Sequence, residues 1–166
     1  MYGGELVLKK LIFDSNLCNW CRICTLACTL NHAPGNVISN KTSRIRIRFN
    51  KEKTLSVAEV CVQCEEAPCI GACPVSALSK DGLGRIVVDN SLCIRCGSCV
   101  KACPYHGITL VNDRILVCDL CDGDPACVRW CPFKAISYVE FSGENVERIK
   151  QLQNKMINTY EEVVSI

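Results

Sequence analysis

Apolar and polar positions along this chain alternate in short bursts, and the period lengthens only near the C-terminus. Residues 42–49 alternate most strictly: Arg44, Arg46 and Arg48 fall on one face, Ile45, Ile47 and Phe49 on the other. A period of two predicts a half-buried strand. Charge on the open face of such a strand guards an edge against mispairing; the same arginines are also a candidate docking face for an acidic partner. Residues 5–13, Glu5 to Phe13, predict a second strand. Asn31, Pro34, Gly35 and Asn40 predict a loop over 29–40. In the tail, residues 143–163, Val146, Ile149, Leu152, Met156, Tyr160 and Val163 recur at helical spacing behind Ser142, a candidate N-cap. A helix packed on its own chain and a helix that docks a partner both fit this stripe.

Between these ends the pattern repeats. After Cys73-Pro74 come Val75 to Leu78, a turn at Asp81-Gly82 and the run Arg85 to Asp89, leading to Cys93. After Cys103-Pro104 come Ile108 to Val111, a turn at Asn112-Asp113 and the run Arg114 to Val117, leading to Cys118. Cys131-Pro132 opens a third copy. Each unit predicts a cysteine loop, a short helical turn closed by the last Cys, and a β-hairpin.

The cysteines carry the chemistry. There are 16 among 166 residues, in four groups: Cys18, Cys21, Cys24, Cys28; Cys61, Cys64, Cys69, Cys73; Cys93, Cys96, Cys99, Cys103; and Cys118, Cys121, Cys127, Cys131. Every group opens C-x2-C and closes C-x3-C, and Pro74, Pro104 and Pro132 follow the closing Cys of three. This is the bacterial ferredoxin run C-x2-C-x2-C-x3-C-P, with a longer middle gap in groups two and four. Soft thiolates suit iron–sulfur clusters. The groups supply four ligands for each of four [4Fe–4S] cubes, with no cysteine left over. In two-cluster ferredoxins the last Cys of a run ligates the other cube. Thr29 stands where the first group would have its Pro, so that helix is free to continue differently.

Two other uses of dense cysteine fit less well. A disulfide scaffold needs export, yet the first seventeen residues carry Glu5, Lys9, Lys10 and Asp14, with no uninterrupted apolar stretch and no twin arginine. In a reducing compartment the pattern reads as metal ligation, and the expected location is cytoplasmic. Zinc ribbons use C-x2-C pairs but do not need a third and fourth Cys at these spacings; a zinc-stabilised binding module is the rival from another class. A net charge of +2 sets up no field for nucleic acid, and no apolar run approaches the roughly 18 residues of a membrane span. His32 and His106 are expected on the surface or in loops. Trp20 and Trp130 are expected to pack over clusters. Glu65, Glu66, Asp122 and Asp124 are expected at solvated loop tips.

The stretches Cys61 to Pro74, Cys93 to Tyr105 and Cys118-Asp-Leu-Cys121 with Pro125-Ala126-Cys127 resemble the four-cluster iron–sulfur subunits of the dimethyl-sulfoxide-reductase type, over residues 14–140. That resemblance implies nested pairing of group one with four and group two with three. One cube then takes Cys18, Cys21, Cys24 and Cys131, its neighbour Cys28, Cys118, Cys121 and Cys127. A third takes Cys61, Cys64, Cys69 and Cys103, the fourth Cys73, Cys93, Cys96 and Cys99. Spacing alone leaves the pairing open. The implied fold class is α+β: two bacterial-ferredoxin-like modules of βαββαβ type plus a C-terminal helix. The outer module is discontinuous (1–53 and 113–141), the inner one spans 54–112, and the helix 142–166. The implied role is electron relay without catalysis, between a large molybdenum- or tungsten-pterin catalytic subunit and a soluble ferredoxin or another redox carrier. The compact length resembles the small subunits of tungsten-pterin aldehyde oxidoreductases. A free-standing polyferredoxin, or a subunit of a formate dehydrogenase or hydrogenase, is the alternative.

Overall fold

Eight short strands pair into four two-stranded antiparallel sheets among the described residues, 8–33 and 38–165 of a computed structural model. β1 (Lys9–Phe13) pairs with β8 (Ile136–Glu140), with Leu11 opposite Tyr138, which closes the two ends of the cysteine region on each other. β2 (Ile45–Asn50) and β3 (Leu55–Val60) form one hairpin. β4 (Leu78–Lys80) with β5 (Ile86–Val88), and β6 (Ile108–Val111) with β7 (Arg114–Val117), form two more. The helices are α1 (Ile23–Asn31), α2 (Pro68–Gly71), α3 (Ser98–Ala102), α4 (Ala126–Arg129) and α5 (Asn145–Val164). The chain is thus a small mixed α and β protein with a C-terminal helix.

Both repeat hairpins turn at their expected residues. Asn112 (φ 47°) and Asp113 (φ 58°) are both left-handed, the requirement of a two-residue type I′ turn. Asp81 Oδ1 accepts from the amides of Leu83 and Arg85, each at 3.0 Å, and shapes the other turn.

Three boundaries differ from those the sequence predicts. α1 runs to Asn31, so the first residues of the expected 29–40 loop are helical. Thr29, in the position of the missing Pro, is fully buried, and its Oγ1 donates to the Thr25 carbonyl at 3.0 Å. Residues 34–37 of that loop, and 5–7 of the first expected strand, lie outside the described residues. The 42–49 strand starts at Ile45, because Asn40–Thr42 form a 3-10 turn and Ser43 Oγ donates to the Ile45 carbonyl at 2.6 Å. Ser142 is not the N-cap of α5. Glu144 holds that position, and Ser142 instead offers its carbonyl to the Asn145 amide.

α5 packs on its own chain. Ile149, Met156 and Val163 are buried on a helix that lies against β3, β1 and β2. Burial of each such side chain contributes about 1.5–3 kcal/mol as an upper estimate. Gln153 donates to the Val62 carbonyl at 3.3 Å, beside the second cysteine group. The arginine row is likewise engaged within the chain. Glu59, only 2% exposed, accepts from Arg46 Nε and Arg48 Nε at 2.8 Å each and from the Tyr160 hydroxyl at 3.3 Å, while Arg44 pairs with Asp119. Nine of the sixteen cysteines are buried among the apolar side chains of the core. Much of the interior of so short a chain is therefore thiol, a composition in which a bound metal would contribute folding energy.

Candidate metal centres

A left-handed residue precedes the second Cys of every group: Trp20 (φ 45°), Gln63 (φ 52°), Arg95 (φ 59°) and Leu120 (φ 55°). L-residues adopt this conformation at a cost, and normally singly. Its recurrence at one position curls each C-x2-C loop so that both thiols face the same side. A second left-handed residue follows three of the closing cysteines at Ser76, His106 and Lys134. The next amide then turns back: Ala77 N donates to Cys73 Sγ at 3.3 Å and Gly107 N to Cys103 Sγ at 3.4 Å. At Gly107 a methyl group has no room, since a Cβ there would lie 2.2 Å from the Cys61 amide nitrogen.

Three small cavities lie where the thiols converge. One is lined by Cys18, Cys21, Cys24 and Cys131 together with Phe13 and Ile47. A second is lined by Cys61, Cys64, Cys69 and Cys103 with Tyr105 and Ile108. A third is lined by Cys73, Cys93, Cys96 and Cys99 with Leu78 and Ile115. Each holds four thiols and no His, Asp or Glu. Cys28, Cys118, Cys121 and Cys127 lie close enough to act on one another. Burial pushes the Cys127 thiol up, and Cys118, Cys28 and Cys121 add to the shift, as does Cys24 from the first quartet. Burial also raises Cys24 and Cys118 to about 12 and Cys69 to about 11. These thiols keep their protons until a metal takes their place. Four sulfurs around a small apolar void, with amides directed at sulfur, fit an iron–sulfur cube.

Cys28 is built differently from the other closing cysteines. Because α1 continues past it, its sulfur accepts from the Arg44 amide at 3.2 Å. His32, one turn further on, sits with Nδ1 2.7 Å from the Cys28 carbonyl and 3.6 Å from its sulfur, and with Nε2 3.1 Å from Asp119. His32 lies in the turn after α1, within the expected loop, but its side chain is only 12% exposed and so is not on the surface. The His32–Asp119–Arg44 cluster escaped sequence reading because its members are far apart in the chain. The available signal was the missing Pro at Thr29. His106 is also engaged, its ring stacked on Tyr160 at 3.8 Å.

Neither tryptophan lines the cavity of the first quartet. Trp20 stacks on Phe49 at 3.8 Å, while Trp130 is 62% exposed and lines an open groove with Leu26 and Leu30 instead of covering a thiol quartet. The acidic residues of the long loops are exposed; Asp122 pairs with Arg85 and Asp124 with Arg129.

These features define the class, an iron–sulfur protein of ferredoxin type. The family described as "4Fe-4S binding domain" matches residues 86–109. The polyferredoxin-like subunit of aliphatic sulfonate oxidoreductase from Pyrococcus furiosus is 40% identical over 120 residues, covering 70% of this chain and 68% of that one. The putative electron transport protein YsaA of Escherichia coli is 36% identical over 153 residues, covering 86% and 97%. The electron transport protein HydN of Escherichia coli is 33% identical over 142 residues, covering 72% and 81%. A chain of the active site complex BamBC of benzoyl coenzyme A reductase aligns with a TM-score of 0.49 at 26% identity, over 92% of this chain and 90% of that one. The chain belongs to the ferredoxin-like iron–sulfur electron-transport family of polyferredoxin-like and HydN-like proteins. Among the described residues no helix is long and apolar enough to cross a membrane.

Proposed function

We propose that this chain is a non-catalytic electron-transfer subunit that holds four [4Fe–4S] clusters in the nested quartets and works in the cytoplasm. The observation that carries the reading is the convergence of twelve cysteines on three cavities, four to each, with the remaining four gathered together. Such clusters, when bound, accept and release single electrons at potentials that the surrounding protein sets.

The thiols support a linear order. Cys24 acts on Cys127, which links the first quartet to that of Cys28 and Cys118. Cys118 in turn acts on Cys61, which links it to the third. α2 and α3 pack together and carry ligands of the remaining pair. Only Cys21 and Cys96 are exposed, and they fall in the first and last quartets of this order. Electrons then enter at one pole and leave at the other. The two-module division is proposed on the same grounds. α1 packs on α4 and β1 pairs with β8 in the outer module, and α2 packs on α3 in the inner one. The β2–β3 hairpin crosses the 53/54 boundary and ties the two together.

One partner is proposed to be a large molybdenum- or tungsten-pterin catalytic chain, of the tungsten aldehyde oxidoreductase kind, and the other a soluble ferredoxin or similar carrier. The name of the Pyrococcus furiosus relative, a subunit of an oxidoreductase, supports a subunit role. Anaerobic purification from the native host tests it. Co-elution with a pterin-containing chain is expected. Elution alone at 18.4 kDa, fully loaded and exchanging electrons with unrelated enzymes, would instead mean a free-standing polyferredoxin.

A further inference from the structure

We infer that His32, clamped by Asp119, is a positioning residue for the crossed ligand Cys28 and raises the reduction potential of the cube held by Cys28, Cys118, Cys121 and Cys127. The inference rests on the four-cube reading above.

The ring nitrogens of His32 face hydrogen-bond acceptors. Nδ1 lies 2.7 Å from the Cys28 carbonyl oxygen, and Nε2 lies 3.1 and 3.2 Å from the two Asp119 carboxylate oxygens. Carbonyl and carboxylate oxygens only accept. Both ring nitrogens therefore carry hydrogens, and the ring is an imidazolium. Arg44 closes the network: its guanidinium pairs with the same carboxylate and its amide donates to Cys28 Sγ at 3.2 Å. His32 is also the C-cap of α1, where a cation meets the negative end of the helix.

Two consequences follow. Asp119 lies between Cys118 and Cys121, so the His32–Asp119 contact fastens residue 32 to the loop that supplies other ligands of the same quartet. It does for Cys28 what the Cys-Pro turn and returning amide do for Cys73 and Cys103. Second, a cation and two N–H groups beside a thiolate favour the reduced, more negative cube, and hydrogen bonds near the sulfurs are a principal means of tuning its potential. Among the described residues Cys28 is the one cysteine whose sulfur lies within hydrogen-bond reach of a charged side chain, at 3.6 Å from Nδ1. His32, Asp119 and Cys121 also place donor atoms within 4.8 Å of one another, as a cation site would. With both ring nitrogens donating, His32 has no lone pair left for a metal.

The test is an anaerobic redox titration followed by electron paramagnetic resonance on the full chain, with iron and sulfide counted in each sample. In His32→Leu, iron content is expected to hold while one cluster signal, the one that Cys28→Ser alters, moves to lower potential and the others stay. His32→Gln, which keeps a donor without the charge, is expected to move the same signal less, and it carries the test alone if the Leu variant fails to fold. Unmoved potentials at full iron content overturn the inference, as does an equal shift of all signals. Loss of one cube in both variants would make His32 a ligand and also overturns it. A parent protein without four cubes removes the underlying reading, and the inference with it.

Discussion

Replacing Gly107 by Ala should damage the chain at one cube, because an added methyl group there runs into backbone. The added Cβ would lie 2.2 Å from Cys61 N, 2.3 Å from the Val60 carbonyl carbon and 2.7 Å from Cys61 Cα. All three are backbone atoms at the end of β3, held by its pairing with β2. Ordinary contact begins near 3.4 Å, so one backbone must retreat by more than an ångström. Overpacking of a tight interior costs about 1–3 kcal/mol and sometimes more. Here the retreat also pulls Gly107 N from Cys103 Sγ, now 3.4 Å away, and separates Cys61 from Cys103 in one quartet. The expected result is a lower melting midpoint and loss of about four iron atoms per chain. Differential scanning calorimetry with iron analysis reads both. The midpoint is the quantity to compare, because unfolding with cofactor release is not two-state. Gly71→Ala, where nothing lies within 4 Å, is the control and should hold full iron. A Gly107→Ala protein with full iron and an unchanged midpoint would refute the close-approach argument.

Other perturbations separate the ligand sets and the buried charge. Cys28→Ser should alter the cube of Cys118, Cys121 and Cys127, and Cys21→Ser a different one; if paramagnetic resonance shows both changing the same single signal, crossed ligation is wrong. Glu59→Gln leaves Arg46 and Arg48 without their carboxylate, and should cost about 1–3 kcal/mol, reduced from a fully buried pair because Arg48 is 56% exposed. Burial pushes the Glu59 carboxyl up, but Arg48 and Arg46 outweigh it and hold it below its ordinary 4.5. Its contribution is therefore full above about pH 4.5 and lost as pH falls through the lower folded value. An acid melt should show the parent losing more stability below that pH than Glu59→Gln does, and parallel acid profiles would exclude the effect.

Much of the local structure is legible because it is written in short-range chemistry. The Asn112-Asp113 turn needs two residues that tolerate positive φ, and these two do. The stripe Ile149, Met156, Val163 marks the buried face of α5. Cysteine spacing marks each C-x2-C curl, although not the left-handed Trp20, Gln63, Arg95 and Leu120 that make it, since none is a residue type that announces such a backbone. Where local rules compete with distant contacts, sequence reading fails. Ser142 is a residue type favoured at an N-cap, yet the helix begins after Glu144. Asn31 suggested a loop, but Thr29 buried beneath Ser39 and Thr25 carries α1 through it. The Asp119 partner of His32 lies 87 residues away and leaves no periodic trace.

The central claim is that sixteen cysteines hold four cubes, and a count of metal and sulfide in the anaerobically isolated chain tests it most directly. The expected result is about sixteen iron and sixteen acid-labile sulfide atoms per chain, with a brown colour. A reproducible value near twelve would leave one quartet without its cluster, and zinc as the dominant metal would contradict the account as a whole.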